Sequence, residues 1–401
     1  MNGYESNASE LLVGGVPLGR LAQRVGQTPF YAYDRQRIVR RVAEVHAALP
    51  AGVGLHYAVK ANPMPALLGC LRGLVDGWDV ASAGELQRVL DAGGRPESIG
   101  FAGPGKRESE LRQATAAGAL LHVESMREVR LLGRLSRELG LPARVALRLN
   151  PDFELRVAGM RMGGGPQPFG VDLEQAPELL SNIAAEGLCF EGFHVYAGSQ
   201  VLKGAVLAQT IERSVEMLLG LEAFLPAQVR HVNLGGGWGI PYLPTDVPLD
   251  LEPVTEALQA AQVRLGAAWP RARLVIELGR YLVGEAGVYV ARVLDRKVSR
   301  GELFLVTDGG LHQHLAATGN LGQVLRRHFP LAIGNRLDAP MQECANVVGP
   351  LCTPLDVLAR QQPLPRTEVG DLVVVFQSGA YGASASPQAF LGHPPCPEVL
   401  V

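Results

Sequence analysis

Between about residue 53 and residue 277, this 401-residue chain repeats one unit eight times: a short β-rich run, a turn, and a stretch with helical spacing. Strands that alternate with helices pair in parallel, because a crossover helix is what returns the chain to the same end of a sheet. Eight such units close naturally into a barrel. The expected strands are Val53–Val59, Trp78–Ala81, Ser98–Ala102, Leu120–Val123, Arg144–Leu149, Cys189–Val195, His231–Leu234 and Arg273–Glu277, with helices between them such as Gly84–Ala92 and Ser125–Leu139. This predicts a (β/α)8 barrel over 34–283. After Val283 the rhythm changes. Val288–Leu294, Leu303–Thr307 and Leu372–Phe376 read as strands separated by Gly, Pro and polar turns, which predicts a β-rich domain over 284–401. The aromatic run Thr28–Tyr33 is expected to pair with that later domain and so to bring 1–33 into it. Gly159–Phe169 and Tyr242–Pro248 read as long loops.

Composition narrows the partners. With 37 basic and 39 acidic residues there is no electrostatic footprint for nucleic acid or an anionic membrane. Five cysteines, Cys70, Cys189, Cys344, Cys352 and Cys396, lack CxxC spacing, which argues against a disulfide framework and a structural zinc site and for a reducing cytoplasm. The first ten residues are polar, unlike a signal peptide, and no segment offers about 18 uninterrupted apolar residues. A non-exported protein acting on a small or protein-linked partner is expected, with no metal.

Reacting groups in a barrel gather at the C-terminal ends of its strands, and phosphate often binds after strands seven and eight. Lys60, in Tyr57-Ala58-Val59-Lys60-Ala61-Asn62-Pro63, ends strand one. A lysine held in a buried strand is expensive, and desolvation frees its amine to form a Schiff base; a lysine that merely snorkels out is the plainer alternative. Strand seven runs into Gly235-Gly236-Gly237-Trp238-Gly239, whose backbone N–H groups can close on an anion, and strand eight ends in Glu277-Leu278-Gly279-Arg280, where Arg280 suits a bidentate phosphate contact. A carboxylate beside phosphate needs a protonated partner, which a pyridine nitrogen would supply to Glu277. His194 ends strand six and could stack on a cofactor ring, while Ser199 could donate to phosphate. Arg148 ends strand five. Asp79 and Glu85 flank the end of strand two, and these three could hold one another or the Lys60 amine.

Together these motifs resemble the fold-type III pyridoxal-phosphate decarboxylases, a family that includes diaminopimelate, ornithine and arginine decarboxylases and has an alanine racemase-like barrel with a C-terminal β domain. YAVKANP resembles its cofactor-lysine motif, GGGWG its phosphate loop and ELGR its pyridine-carboxylate and phosphate-arginine motif. Gly349-Pro350-Leu351-Cys352-Thr353-Pro354-Leu355-Asp356 and Gly379-Ala380-Tyr381-Gly382 resemble two motifs of the β domain. The resemblance implies that pyridoxal 5'-phosphate is the cofactor and Lys60 its covalent anchor. Glu277 would meet the pyridine nitrogen, and His194 would stack on the ring. Ser199, Gly235, Gly236, Gly237 and Arg280 would hold the phosphate, with Asp79 and Arg148 in the same cofactor site. It further implies a head-to-tail homodimer in which Cys352 crosses to the partner's site as a proton donor and Tyr381 reaches the cofactor across the interface. Thr353 and Asp356 would face substrate.

The chain departs from that pattern in three places. Relatives acting on diamino acids carry an acidic residue directly after the motif cysteine, where this chain has Thr353; a distal ammonium there would lose hydration without gaining a charge partner. The arginine that diaminopimelate decarboxylases place for the distal carboxylate is missing from Gly309-Gly310-Leu311-His312-Gln313-His314. Tyr196-Ala197 lengthens the usual His-Val-Gly-Ser motif. CTPLD, HVESM, and GAYGASAS followed by FLGHP, resemble instead a biosynthetic branch: decarboxylases of carrier-bound glutamate, of citryl-diaminopropionate in siderophore pathways, and those beside exosortase systems. The expectation is an L-amino-acid decarboxylase for an extended, conjugated or carrier-bound substrate, with diaminopimelate decarboxylase as the alternative. A racemase would place an arginine where Glu277 stands. A non-catalytic cofactor carrier would have no use for Cys352, and a regulatory pseudoenzyme would be expected to lose Lys60 or Cys352.

Overall fold

The structure, a computed structural model, describes residues 3–7, 9–153, 160–161, 163–321 and 328–401. The chain forms two compact units, one of Met1–Arg41, Pro241–Asp246 and Arg280–Val401, the other of Val42–Ile240 and Val247–Gly279.

The second unit is a closed barrel. Its strands are β1 (Gly54–Ala58), β2 (Gly77–Val80), β3 (Ile99–Phe101), β4 (Leu120–Val123), β5 (Arg144–Asn150), β6 (Cys189–Val195), β7 (His231–Gly236) and β8 (Arg273–Leu278). Each pairs in parallel with the next, and β8 pairs with β1 to complete the circle. The expected β4 and β6 coincide with the observed strands, and the ends of the others agree to within two residues. Two of the helices begin where a serine supplies an oxygen for an orphan backbone N–H. Ser82 Oγ accepts from Glu85 N at 3.1 Å at the start of Ala83–Asp91, and Ser125 Oγ accepts from Glu128 N at 3.3 Å at the start of Met126–Leu139. Their buried faces, Leu86 and Val89 in one and Val129, Leu132 and Leu135 in the other, follow helical spacing.

Barrel interiors are usually filled with Val, Ile and Leu, but this one carries His56, Asp79, His122, Arg148, His194, Asn233 and Glu277, all at 7 % exposure or less. Arg148, His194 and Asn233 stand opposite one another across β5, β6 and β7.

In the other unit Gly287–Ser299 is the hub strand, antiparallel to Glu302–Thr307, to Leu372–Val375 and to Phe30–Tyr33. The early aromatic run thus pairs with the later domain as the sequence predicts, and Tyr4, Leu11, Val13 and Leu18 join Val288, Val290 and Val374 in one buried cluster. Glu302–Thr307 is also parallel to Met341–Val348, which is antiparallel to Val357–Pro365. Of the Gly159–Phe169 stretch, 159 and 162 lie outside the described residues; Met160–Arg161 pairs with Gly198–Ser199, and residues 163–169 form no regular element. Residues 242–248 form no helix or strand. No helix among the described residues is long and apolar enough to cross a membrane.

Candidate functional site

The C-terminal ends of the barrel strands bring the polar residues together. β1 stops at Ala58, and a 3-10 turn over Val59–Ala61 carries Lys60 out of the strand, so its side chain is exposed rather than buried as expected. The strand ends one residue early because the turn, not the ladder, takes up Val59 and Lys60; the 3-10 turn closes with Asn62 N–H donating to Val59 O. Lys60 Nζ lies 5.1 Å from the centre of the Tyr196 ring. The two-residue lengthening at Tyr196-Ala197 therefore has a structural result: it places an aromatic face beside the amine.

Glu277 is the electrostatic centre of the interior. Its Oε2 accepts from Asn233 Nδ2 at 3.2 Å and lies 3.4 Å from His194 Nε2. Burial pushes this carboxyl up, but the His194 ring and the charges of Lys60 and Arg148 outweigh it and hold Glu277 well below the usual carboxylate range. Asn233 also accepts the Gly235 N–H at 2.8 Å through Oδ1, so one buried amide ties the glycine loop to the carboxylate. Beyond the approach to Glu277, neither His194 ring nitrogen has a hydrogen-bond partner among the described residues. The His122 ring lies 4.4 Å from the His194 ring and 6.2 Å from that of His231. Burial, reinforced by neighbouring cations, holds His122 and His231 far below the ordinary imidazole range, so both are neutral.

The glycine loop is shaped by absent side chains. Gly235 and Gly237 have φ of +69° and +74°, in the left-handed region that favours glycine. A Cβ on Gly236 would collide with the Glu277 carbonyl and one on Gly237 with the Gly198 carbonyl. Ser199 is buried beside that contact.

Two sequence expectations change. Arg148 and Asp79 do not pair with each other: Arg148 Nη1 donates to Glu124 Oε1 at 2.8 Å, and Asp79 Oδ2 meets His56 Nδ1 at 3.2 Å. Each strand offers a nearer partner from its own neighbour, and Lys106 completes the first pair, 3.1 Å from Glu128 and 3.9 Å from Glu124. Glu85 is a helix-start residue, accepting the Ala81 N–H at 2.7 Å. His56, Lys106, His122, Glu124, His231 and Asn233 were not singled out by sequence. His122 and Glu124, both inside the quoted HVESM, and Asn233, two positions before the glycine motif, carried a signal as polar residues in or beside a quoted motif.

In the other unit, Arg280 opens the short helix Arg280–Val283, donates to the Tyr242 hydroxyl at 2.7 Å and lies 4.7 Å from the Tyr381 ring. The turn at Gly379–Gly382, with Tyr381 at φ +54°, folds the Tyr381 ring onto an arginine of its own chain. Cys352 is exposed and Thr353 half-exposed on the loop between Met341–Val348 and Val357–Pro365. Asp356, expected to face substrate, is turned inward at 2 % exposure; its carboxylate accepts Leu311 N–H at 2.6 Å and Leu351 N–H at 2.9 Å. It shapes the loop because Gly310 and Gly349 leave room for it. The Gly309–His314 stretch is buried throughout, with His312 4.4 Å from His393. No cluster of three or more His, Cys, Asp or Glu among the described residues is placed to hold a metal ion.

Pyridoxal phosphate suits this donor set. A glycine loop packs against neighbouring backbone too closely to carry any side chain, a buried carboxylate is held ionised, and beyond its approach to Glu277 the imidazole has no hydrogen-bond partner among the described residues. Residues 35–284 match the family described as pyridoxal-dependent decarboxylase, pyridoxal binding domain. The chain belongs to the pyridoxal-dependent decarboxylases. It is 36 % identical, over 93 % of its length and 89 % of the relative's, to the L-glutamyl-[BtrI acyl-carrier protein] decarboxylase of Niallia circulans. It is 32 % identical over 99 % to the diaminopimelate decarboxylase of Archaeoglobus fulgidus, covering 93 % of that protein. The 2-[(L-alanin-3-ylcarbamoyl)methyl]-2-hydroxybutanedioate decarboxylase of Staphylococcus aureus is 29 % identical over 91 % of this chain and 92 % of its own. The crystal structure of Helicobacter pylori diaminopimelate decarboxylase complexed with L-lysine superposes with a TM-score of 0.84 at 26 % identity, covering 96 % of this chain and 94 % of that one. The barrel with its β-rich domain is thus the family fold. This decarboxylase is a pyridoxal-phosphate-dependent lyase acting on an amino acid.

Proposed function

We propose that this decarboxylase removes the α-carboxylate of an L-amino acid whose far end is conjugated to a larger group, in a cytoplasmic biosynthetic pathway and as a head-to-tail homodimer. The observation that carries the substrate reading is Thr353: a neutral hydroxyl stands directly after the motif cysteine, so the site offers no counter-charge to a free distal ammonium. The buried Gly309–His314 stretch, which lacks an arginine, supports the same reading against a free distal carboxylate. Similarity to relatives named for a carrier-linked and an amide-conjugated substrate adds to it.

Bound pyridoxal phosphate supplies an electron sink for the pair left at the α-carbon when carbon dioxide departs. In this proposal Lys60 Nζ anchors the cofactor, and Glu277, ionised in the interior, keeps a proton on the ring nitrogen. Asn233 holds Glu277 in place and, by taking the Gly235 N–H, shapes the Gly235–Gly237 loop, whose remaining backbone N–H groups, with Ser199 and Arg280, would hold the phosphate. His194 stacks on the ring, with Asp79 and Arg148 in the same site. Tyr381 orients Arg280. Cys352 of the partner subunit holds the proton that its Sγ returns to the α-carbon, and Thr353 borders the substrate's far end.

A panel of free, citryl-linked and carrier-bound amino acids, scored by carbon dioxide release, tests the reading. Release from a conjugate and not from free diaminopimelate is expected; efficient turnover of diaminopimelate with conjugates ignored would sink it in favour of the diaminopimelate alternative. Lys60→Ala should abolish the visible absorbance of the bound cofactor, and persistence of that band would remove Lys60 from its role.

A further inference from the structure

A groove of about 460 Å³ lies on the β-rich unit, walled on one side by the loop that carries Cys352 and Thr353. Its floor is one face of a sheet. Lys297 stands opposite Phe304, Val306 opposite Val348, and Val348 opposite Val357. Alternation along the strand separates this face from the core: Leu305 is fully buried on the other side, while Phe304 and Val306 are half-exposed. The floor is therefore a strip of apolar side chains that the chain itself does not cover.

Two cations line this strip. Lys297, from the hub strand, and Arg360, from Val357–Pro365, are both exposed and have no ion-pair partner among the described residues. The carboxylates nearby have donors of their own: Asp295, opposite Val306, accepts the Arg296 N–H at 2.8 Å. Asp356 accepts two backbone N–H groups, and Glu302, on the same sheet face, accepts from Asn346 Nδ2 at 2.8 Å and Gln361 Nε2 at 3.2 Å. What remains is a positive, partly apolar channel beside the cysteine loop.

We propose that this groove binds the phosphodiester and the weakly polar arm of a phosphopantetheine group, so that Lys297 and Arg360 guide a carrier-linked substrate. The inference rests on the reading that the substrate is conjugated. A compact polycarboxylate would satisfy the cations but leave Phe304, Val306 and Val348 exposed; a long arm ending in a phosphodiester uses both. Arg360 offers a planar fork to the phosphate oxygens and Lys297 a point charge.

The test is titration of phosphopantetheine, and of pantetheine lacking the phosphate, into the pyridoxal-phosphate-loaded enzyme. The Lys297→Gln, Arg360→Gln double variant is compared with the parent, and oligomeric state is followed by sedimentation. Phosphopantetheine should bind the parent roughly tenfold or more tightly than the variant, a difference that shrinks in high salt, while pantetheine binds both weakly. Equal binding of phosphopantetheine to both proteins, or to neither, overturns the inference whatever the substrate panel shows. Loss of binding together with loss of the dimer also overturns it, making this face a contact between two copies. If phosphopantetheine binds as expected but no phosphopantetheinyl thioester is decarboxylated, the groove stands and the conjugated-substrate reading falls.

Discussion

Gly236→Ala perturbs the site at the point where the glycine loop and Glu277 meet. The two residues are register partners across β7 and β8, and a Cβ at Gly236 would overlap the Glu277 carbonyl so closely that the pair must open by more than about 1 Å to reach 3.0 Å, the shortest contact real Cβ atoms make. Neither partner is a flexible side chain. The added atom meets backbone in a closed barrel, so the overlap is relieved by moving a strand, at about 3 kcal/mol, the upper end of the usual range for overpacking. The displacement falls on the residue whose carboxylate is held by Asn233 and His194, and a shift of about 1 Å at a reacting centre lowers turnover roughly a hundredfold. The assay is carbon dioxide release together with thermal denaturation and pyridoxal-phosphate titration. Gly266→Ala is the matched control: it lies within the helix Glu252–Ala268, its Cβ would meet nothing within 4 Å, and it should stabilise by about 0.5–1 kcal/mol. Wild-type turnover and cofactor affinity in Gly236→Ala would refute the argument that the loop is glycine-bound by Glu277.

Three further outcomes follow from named groups. His122 is fully buried without a hydrogen-bond partner among the described residues, and burial holds its folded pKa well below the ordinary imidazole value of about 6.5, so protons bind the unfolded chain more tightly. Its neutral form therefore supports the fold fully above pH 6.5, and that support is lost progressively as pH falls below it. His122→Leu should be close to neutral in stability at pH 8 and more stable than the parent at pH 5; unchanged acid unfolding would contradict this. Cys352→Ala, at an exposed position, should leave the melting temperature unchanged and lower turnover more than tenfold, whereas full activity would remove Cys352 as proton donor. If each site uses Lys60 of one subunit and Cys352 of the other, mixing inactive Lys60→Ala with Cys352→Ala should return roughly a quarter of wild-type activity, and no recovery after verified exchange would count against the shared site.

The barrel was legible because its signal is local and repeated: eight short apolar runs that alternate with turns and helices permit few other closures. The glycine loop and Glu277 were legible for a related reason, since both follow directly from strand ends whose position in the count fixes the rim they occupy. The sequence determined by itself which residues reach that rim, and, through resemblance, the cofactor chemistry they serve. It did not determine which side chains meet. Asn233 joining the loop to Glu277, Glu124 taking Arg148 from Asp79, His122 packing on His194, Asp356 turning inward and Tyr381 folding onto Arg280 each depend on contacts between segments up to about a hundred residues apart. Lys60 shows the same limit at short range, exposed because its strand gives way to a 3-10 turn. Periodicity records which face a residue occupies; only the closed barrel and, in the other unit, the assembled sheet decide which partner satisfies a polar group once water is excluded.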